Sequence, residues 1–213
     1  MKKNKFLVVI PARKNSKRLK NKNILKINGK SLIQNTIDFA LKLKNVQHVL
    51  ISTDIRDIRK HILLTNQVLI PWIRPKELSK DESSTKDVLS HAINWYNNNF
   101  GKIDGIILLQ TTSPIRSIKM ANKVINNYMK FKKTSLTVKE IKSKIKLGTK
   151  YIKKKDKYYY PNGFIYVFPQ NQILKKEIYN HNSNIVIDNN YYRNIDIDYK
   201  RDLIKAKKFF KKN

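Results

Sequence analysis

Short apolar segments alternate with amphipathic segments along most of this chain. Segments of four to six residues rich in Val, Ile and Leu predict buried strands at Phe6–Ile10, His48–Ser52, Val68–Ile73, Gly105–Leu109, Ser135–Val138 and Gly163–Phe168. Apolar residues at helical spacing predict helices over Ser31–Lys44, Ile55–Leu64, Thr85–Tyr96, Ile118–Lys130 and Asp198–Phe210. This alternation predicts an α/β fold, a mostly parallel sheet sandwiched by helices.

The domain organisation follows from length and from the lack of boundaries. The chain has 213 residues, with no internal repeat and no Gly/Ser-rich or Pro-rich linker. We therefore expect a single domain over residues 1–213. The one shift in composition is at residues 139–160, where lysines crowd and the apolar periodicity fades, and this stretch leaves room for a short excursion from the sheet.

The first apolar run is too short for a targeting or membrane segment. It stops at Pro11 after about five residues, whereas a signal peptide needs roughly seven, and Arg13 and Lys14 follow at once. No apolar run approaches the roughly 18 residues of a membrane span. We expect a first strand in a cytoplasmic protein. The absence of cysteine excludes disulfides, cysteine zinc sites and thiol nucleophiles.

The chain is strongly basic, but its charge is not concentrated in a tail or stripe. It has 46 Lys and Arg against 15 Asp and Glu, a formal net charge of +31, with 40% hydrophobic residues. That apolar share is enough for a folded core. A spread positive charge predicts non-specific attraction to polyanions rather than specific nucleic-acid binding.

The loop after the first predicted strand is the strongest candidate for anion binding. Ligands of open parallel sheets bind beyond the carboxyl ends of the strands. Pro11–Asn23 contains no acid and has six cations, Arg13, Lys14, Lys17, Arg18, Lys20 and Lys22. Such a cluster suits a nucleoside triphosphate, although neither the dinucleotide fingerprint nor the P-loop motif is present. The alternative is that a lysine-rich chain simply has lysine-rich loops.

Two carboxylates lie close together near the carboxyl terminus. Asp196 and Asp198 are separated by one residue, so an extended backbone places both on one face. Mg²⁺ is typically held by one or two carboxylates together with substrate phosphate oxygens. The alternative is a surface network of aspartates and lysines in which Asp198 caps the last helix.

Several segments, in order, carry a family resemblance over nearly the whole chain. They are Ile10-Pro-Ala-Arg13, Asn15-Ser-Lys17, Lys22-Asn23, Gly29-Lys-Ser-Leu-Ile33, Ile51-Ser-Thr-Asp54, Arg74-Pro-Lys-Glu-Leu78 with Asp81, Ser84 and Thr85, Leu109-Gln-Thr-Thr-Ser-Pro-Ile-Arg116, Asn162-Gly163 and Ile195-Asp-Ile-Asp198. The sequence resembles the CMP-sialic acid synthetases (acylneuraminate cytidylyltransferases), including relatives that act on other nine-carbon sugar acids.

The resemblance implies a Rossmann-like nucleotidyltransferase fold and transfer from CTP to the anomeric hydroxyl of an acidic nine-carbon sugar, with release of pyrophosphate. It implies catalytic roles for Arg13, Lys17, Lys22 and Asp198. It further implies nucleotide binding by Arg13, Asn15, Ser16, Lys22, Asn23, Arg74, Ser84 and Thr85, sugar-acid binding by Gln110 and Asn162, and Mg²⁺ held by Asp196 and Asp198.

Some of these positions also have ordinary structural explanations. Arg74 could form a rim ion pair with Glu77, Ser84 or Thr85 could cap a helix, and Asn162-Gly163 is a common turn dipeptide. On residues alone, the alternative functions are a glycosyltransferase or other nucleotidyltransferase of similar fold, or a non-catalytic polyanion-binding relative. Glycosyltransferases usually carry their Asp-x-Asp near mid-chain and lack a cationic loop after the first strand.

The chain departs from the family pattern in three places. Members usually have a longer segment before Asn-Gly, with an Arg for the sugar carboxylate and contacts between subunits, whereas Lys139–Tyr160 is short. The acceptor and a homodimer are therefore left open, and Lys142 or Lys157 is a candidate substitute for the missing Arg. Arg18 and Lys20 replace the usual Gly and Pro of the loop, and Thr111 stands where Pro is usual.

Overall fold

The computed structural model describes residues 4–141, 151–175 and 177–212. Its strands and helices are, in chain order, β1 (Phe6–Ala12), β2 (Lys26–Ile27), β3 (Lys30–Ser31), α1 (Leu32–Leu41), β4 (Val46–Thr53), β5 (Val68–Leu69), α2 (Thr85–Phe100), β6 (Gly105–Leu108), α3 (Ile118–Phe131), β7 (Ser135–Ile141), β8 (Ile152–Lys154), β9 (Lys157–Phe168), β10 (Asn184–Ile187) and α4 (Lys200–Lys212). Within these ranges, no helix is long and apolar enough to cross a membrane.

The central sheet is mostly parallel, as the sequence predicts. Its strand order is β10-β7-β9-β6-β1-β4-β5, and β8 pairs with β9. The pairs β1–β4, β1–β6, β4–β5 and β10–β7 are parallel. Strand β9 runs antiparallel to its neighbours β6, β7 and β8. The carboxyl ends of β1, β4, β6 and β7 consequently lie at one edge of the sheet, where ligands of such folds bind.

Helices cover both faces of the sheet. Side chains of β1 alternate between the faces: Val8 packs in one cluster with residues of α1 and α3, and Val9 packs in another with residues of α2. These side chains are fully buried, and burying each contributes roughly 1.5–3 kcal/mol. The structure confirms the predicted layers, and a third cluster joins α4 to Ile27 and Ile197.

Helices α1 and α2 begin at serine caps. The Ser31 hydroxyl oxygen accepts a hydrogen bond from the Gln34 backbone N–H at 3.1 Å and opens α1. Ser84 accepts from the Asp87 N–H at 3.1 Å and opens α2. Each cap satisfies an N–H that the first helical turn leaves without a partner.

Two predicted elements are less than half as long in the structure as in the prediction. Ile55–Leu64 forms only a 3₁₀ turn, Ile58–His61, since the N–H of Leu63 donates to Gln34 Oε1 of α1 at 2.6 Å instead of continuing a helix. The strand predicted over Val68–Ile73 ends at Leu69, ahead of Pro71, which has no N–H to donate to a sheet ladder.

The turn predicted at Asn162-Gly163 is also wrong, because both residues lie inside β9. The β7–β9 register jumps there, with Leu136 opposite Tyr166 but Val138 opposite Pro161. The extra residues of β9 form a bulge opposite β7. Within it, Gly163 has a φ of +76°, a backbone conformation that favours glycine.

The lysine-rich stretch predicted as a loop or excursion is largely sheet where the structure describes it. Lys139–Ile141 completes β7, β8 forms a further strand, and β9 begins at Lys157. Residues 142–150, which include the candidate Lys142, lie outside the described residues.

Candidate active site

A cavity of about 600 Å³ opens at the carboxyl edge of the sheet. It is bounded by the loop after β1, by the first turn of α2, by the segment after β6 and by the segment before α4. Side chains on its wall include Arg13, Lys17, Arg18, Lys22, Arg74, Asp81, Gln110, Asp196 and Asp198. The cationic loop and the acid pair thus face the same space, although they are separated by more than 170 positions in the chain.

Hydrogen bonds to neighbouring loops hold the cationic loop in place. The buried Asn23 donates to the Arg13 carbonyl at 2.6 Å and accepts from the Thr111 hydroxyl. The Lys14 N–H donates to Asp54 Oδ1, beyond the end of β4, at 2.6 Å. The loop is therefore anchored to the segments that follow both neighbouring strands.

Two aspartates face the cations of the loop. Asp81 pairs with Arg13 at 2.7 Å and with Lys17 at 2.9 Å. Asp198 pairs with Arg18 at 2.6 Å and with Lys22 at 2.9 Å. Four of the six loop cations are thereby collected around two carboxylates, which is the arrangement expected of groups that also bind phosphate oxygens.

The two acids of the Asp-x-Asp have opposite electrostatic environments. Burial raises the pKa of Asp196, and the charge of Asp198 adds to this rise, while a hydrogen bond from Thr112 opposes it. Burial also acts to raise the pKa of Asp198, but Lys22 and Arg18 outweigh it and leave that pKa below its usual value. Asp198 does not cap α4, because its own N–H and that of Tyr199 donate to Asp202.

The donor set at this acid pair suits a hard divalent cation with few protein ligands. The two carboxylates of the pair face the cavity, and the described residues contain no group of three or more acids, histidines or cysteines that could hold a metal ion. A cation held here would complete its coordination with phosphate or water oxygens, which is the usual manner of Mg²⁺ binding.

Arg74 is a buried cation on the cavity wall. It is 5% exposed, and its Nε donates to the Ser52 hydroxyl at 3.1 Å while Nη2 donates to the Ser52 carbonyl. Its partner is thus Ser52 rather than Glu77. Burial lowers the pKa of Arg74 to about 10, so the guanidinium stays charged at neutral pH.

The structure brings most of the predicted site residues together. Arg13, Ser16, Lys17, Lys22, Asn23, Arg74, Thr85, Gln110, Asp196 and Asp198 line the cavity. Asn15, Ser84 and Asn162 are not on this wall. Ser84 caps α2, and the buried amide of Asn162 accepts from Thr137 at 2.6 Å and donates to Asn194 at 3.0 Å. Ligand contacts by these three residues stay predictions.

Arg18, Asp81 and Thr112 are among the wall residues for which the sequence predicts no role. Arg18 was visible as one of six cations in a single loop. Asp81 was visible as an acid, in a chain with few acids, within a segment that carries the resemblance. Thr112 also lies within a segment that carries the resemblance, but only the fold places its hydroxyl against Asp196.

Comparison with known proteins agrees with this geometry. A family model described as "Cytidylyltransferase" matches residues 7–212. The CMP-N,N'-diacetyllegionaminic acid synthase of Legionella pneumophila is 27% identical over 98% of this chain and 97% of its own length. The pseudaminic acid cytidylyltransferase of Campylobacter jejuni is 34% identical over 60% of this chain and 56% of its own length.

Other relatives are longer than this chain. An N-acylneuraminate cytidylyltransferase of Escherichia coli is 30% identical over 65% of this chain but only 32% of its own length. A solved structure of CMP:2-keto-3-deoxy-manno-octonic acid synthetase in complex with CTP superimposes with a TM-score of 0.68 at 18% identity, over 98% of this chain and 99% of its own. That likeness establishes the fold.

Proposed function

Because this chain belongs to the cytidylyltransferase family, we propose that it transfers the cytidylyl group of CTP to a hydroxyl of an acidic nine-carbon sugar. The products are a CMP-sugar and pyrophosphate. Relatives named for legionaminic, pseudaminic and N-acylneuraminic acids support this class of acceptor. The observation that carries the proposal is the convergence of the loop cations and the Asp-x-Asp on one cavity.

The loop cations bind the triphosphate in this proposal. Arg13, Lys17 and Lys22 already project into the cavity, where they form ion pairs with Asp81 and Asp198. Phosphate oxygens form the same charge-assisted hydrogen bonds. Asn15, Ser16, Asn23, Arg74, Ser84 and Thr85 are proposed to bind the remainder of the nucleotide, and Gln110 and Asn162 the sugar acid.

The chemical step needs alignment and charge neutralisation rather than a covalent enzyme intermediate. The acceptor oxygen attacks the α-phosphorus and loses its proton, while the bond from the α-phosphorus to the bridging oxygen breaks and pyrophosphate departs. Negative charge grows on the leaving group, and Lys22, with a side chain only 12% exposed, is placed to neutralise it.

Asp196 and Asp198 are the proposed ligands of Mg²⁺. Both line the cavity. Desolvation and, secondarily, the charge of Asp198 raise the pKa of Asp196, and a divalent cation would relieve the repulsion between the two carboxylates. When bound, the ion would neutralise phosphate charge and orient the nucleotide.

Formation of a homodimer is a separate prediction.

The direct test is pyrophosphate release from a panel of nucleotides and acceptors. We expect release with CTP but not with ATP, GTP or UTP, and with at least one of sialic, legionaminic and pseudaminic acids or 3-deoxy-manno-octulosonate. Chelation of divalent cations should abolish it. An enzyme that instead consumes a nucleotide-sugar, or a protein that binds DNA with a steep salt dependence and does not respond to CTP, contradicts the proposal.

Lys22→Ala tests the role of the loop in catalysis. We expect kcat to fall about 10²- to 10³-fold, the usual effect of removing one donor that stabilises transition-state charge. Lys20→Ala is the matched control, because it removes the same charge from an exposed position of the same loop and should keep near-normal turnover. Undiminished turnover of Lys22→Ala would contradict the assigned role.

A further inference from the structure

Asp198 is paired with a cation at each of its two carboxylate oxygens. The Lys22 ammonium lies 2.9 Å from Oδ1, and the Arg18 guanidinium lies 2.6 Å from Oδ2. All three side chains line the cavity. Mg²⁺ approaches a carboxylate oxygen to about 2.1 Å, so it would meet a positive charge at either oxygen of Asp198 and be repelled by it. Binding of such an ion to Asp198 therefore requires that one of the two ion pairs opens.

Arg18 is the partner that can leave Asp198 at the lower cost. Its side chain is 53% exposed, whereas that of Lys22 is 12% exposed. A displaced Arg18 guanidinium returns to water, and an exposed ion pair contributes little to stability. A displaced Lys22 ammonium would instead remain largely buried without a partner, which is strongly unfavourable. The pair with Arg18 is therefore the one that opens.

The surroundings fix Asp198 and give Arg18 a second contact. The backbone N–H groups of Asp198 and Tyr199 donate to Asp202 at 3.2 and 2.9 Å, which holds the backbone of Asp198 at the start of α4. The Arg18 guanidinium also lies 5.5 Å from the centroid of the Tyr199 ring, within cation–π range. Arg18 can thus release Asp198 and keep its contact with Tyr199.

We infer that Arg18 is a counterion that occupies the place of a divalent cation on Asp198 and keeps the acid pair from binding the free ion. The inference rests on the proposed function, which makes Asp196 and Asp198 the ligands of the ion. A nucleotide changes the balance, because its phosphate oxygens supply ligands for the ion and new partners for the displaced guanidinium. Arg18 thereby makes the acid pair selective for an ion that arrives with the triphosphate.

The test measures the binding of Mn²⁺, a paramagnetic substitute for Mg²⁺, to the protein without nucleotide. Electron paramagnetic resonance reports the concentration of free Mn²⁺ during the titration. Arg18→Gln should bind Mn²⁺ roughly 5-fold more tightly than wild type, the upper range for the loss of a partly exposed ion pair. The gain should disappear when Arg18→Gln is combined with Asp198→Asn, which removes the carboxylate. Arg18→Ala provides a second neutral variant if Arg18→Gln does not unfold cooperatively on heating.

Lys20→Gln is the matched control, because it removes the same charge from an exposed position of the same loop and its residue does not pair with Asp198. At an ionic strength of about 0.15 M, exposed charges are largely screened. The affinity of Lys20→Gln for Mn²⁺ should therefore stay within about 2-fold of the wild-type value.

Thermal scans test the selectivity for an ion that arrives with the triphosphate. At one Mn²⁺ concentration, the ion alone should stabilise Arg18→Gln more than wild type, and Mn²⁺ with CTP should stabilise wild type more than CTP alone. Three results overturn the inference alone: equal Mn²⁺ affinities of wild type and Arg18→Gln, a gain that persists when Asp198 is also replaced, and no added stabilisation by Mn²⁺ in the presence of CTP. A wild type that releases no pyrophosphate with any acid of the panel overturns the proposed function, while the Mn²⁺ titration still tests the counterion.

Discussion

In the ligand-free protein, the fold favours the charged form of Asp198 and disfavours the charged form of Asp196. Asp198 is stabilised as a carboxylate by Lys22 and Arg18. Desolvation and, secondarily, the charge of Asp198 raise the pKa of Asp196, although the residue is exposed at the surface. A carboxyl group with a raised pKa lowers stability as pH rises from its unfolded-state value through its folded-state value, and the full penalty is present above both.

Asp196→Asn should therefore stabilise the ligand-free protein while abolishing activity. In the presence of a chelator at pH 7, we expect the melting temperature to rise by a small amount, because solvent screens the charge of this exposed residue. The gain should disappear below about pH 4, where the wild-type carboxyl is also protonated. Turnover should fall by about 10²-fold or more.

Asp198→Asn is the contrasting variant for that measurement. The lowered pKa of Asp198 means that its carboxylate contributes stability above the unfolded pKa, and that this contribution is lost as pH falls through the lower folded value. Asp198→Asn should therefore lower the melting temperature at pH 7. If both variants shift stability in the same direction, the electrostatic contrast between these residues is wrong.

At the scale of elements, the bulge in β9 is the feature that the local sequence predicts least well. Asn162-Gly163 is a turn signal in isolation, yet the chain continues as a strand through a bulge. The bulge places Gly163 against Gln110 and Ser113: a Cβ added at Gly163 would lie 2.7 Å from Ser113 Oγ and 2.8 Å from Gln110 Oε1. The absence of a side chain at Gly163 thus leaves room for the Gln110 side chain at the cavity.

Gly163→Ala should cost roughly 1–3 kcal/mol of unfolding free energy, because it adds a strained positive φ to a steric contact. Chemical denaturation measures this loss, and a rise in KM for the sugar acid would report the displacement of Gln110. Gly29→Ala is the matched control, with a φ of +75° and no atom within 4 Å of the added Cβ. Equal losses in the two variants would mean that the contact with Gln110 is unimportant.

Elements whose sequence pattern lies entirely within one segment could be predicted from the sequence. For α1 and α2, an apolar stripe and a serine cap lie within one segment, and the structure has both helices and both caps. The strand β10 was not predicted, although Asn184–Ile187 is as long as the predicted strand Ser135–Val138. Its strand structure depends on pairing with β7. The helix predicted over Ile55–Leu64 failed because Gln34, a tertiary neighbour, takes the N–H of Leu63.

At the scale of the whole molecule, the net charge of +31 governs long-range electrostatic interactions and does not determine the fold. Mutual repulsion of so many cations destabilises the compact state. The cavity adds to this repulsion by gathering cations around Asp81 and Asp198. The same field attracts a nucleoside triphosphate, so stability and ligand binding should respond to salt in opposite directions.

Raising NaCl from 0.1 to 1 M should raise the melting temperature of the ligand-free protein and weaken CTP binding. The Debye length falls from about 10 to 3 Å over this range. We expect a gain of several degrees, each kcal/mol corresponding to about 2–4 °C. Thermal scans and CTP titrations at matched salt measure the two effects. A melting temperature that falls with salt would show that attractive ion pairs outweigh the net repulsion.

The sequence by itself determined the alternation of strands and helices, the caps of α1 and α2, and the loop of six cations, because each depends on residues near one another in the chain. Only the tertiary structure decided that Asp198 meets Lys22 and Arg18, and that Asn23 joins the loop to Thr111. These contacts join residues that are remote in sequence. They form because β1 and β6 end at the same edge of the sheet, and strand order is a property of the packed core rather than of any one segment.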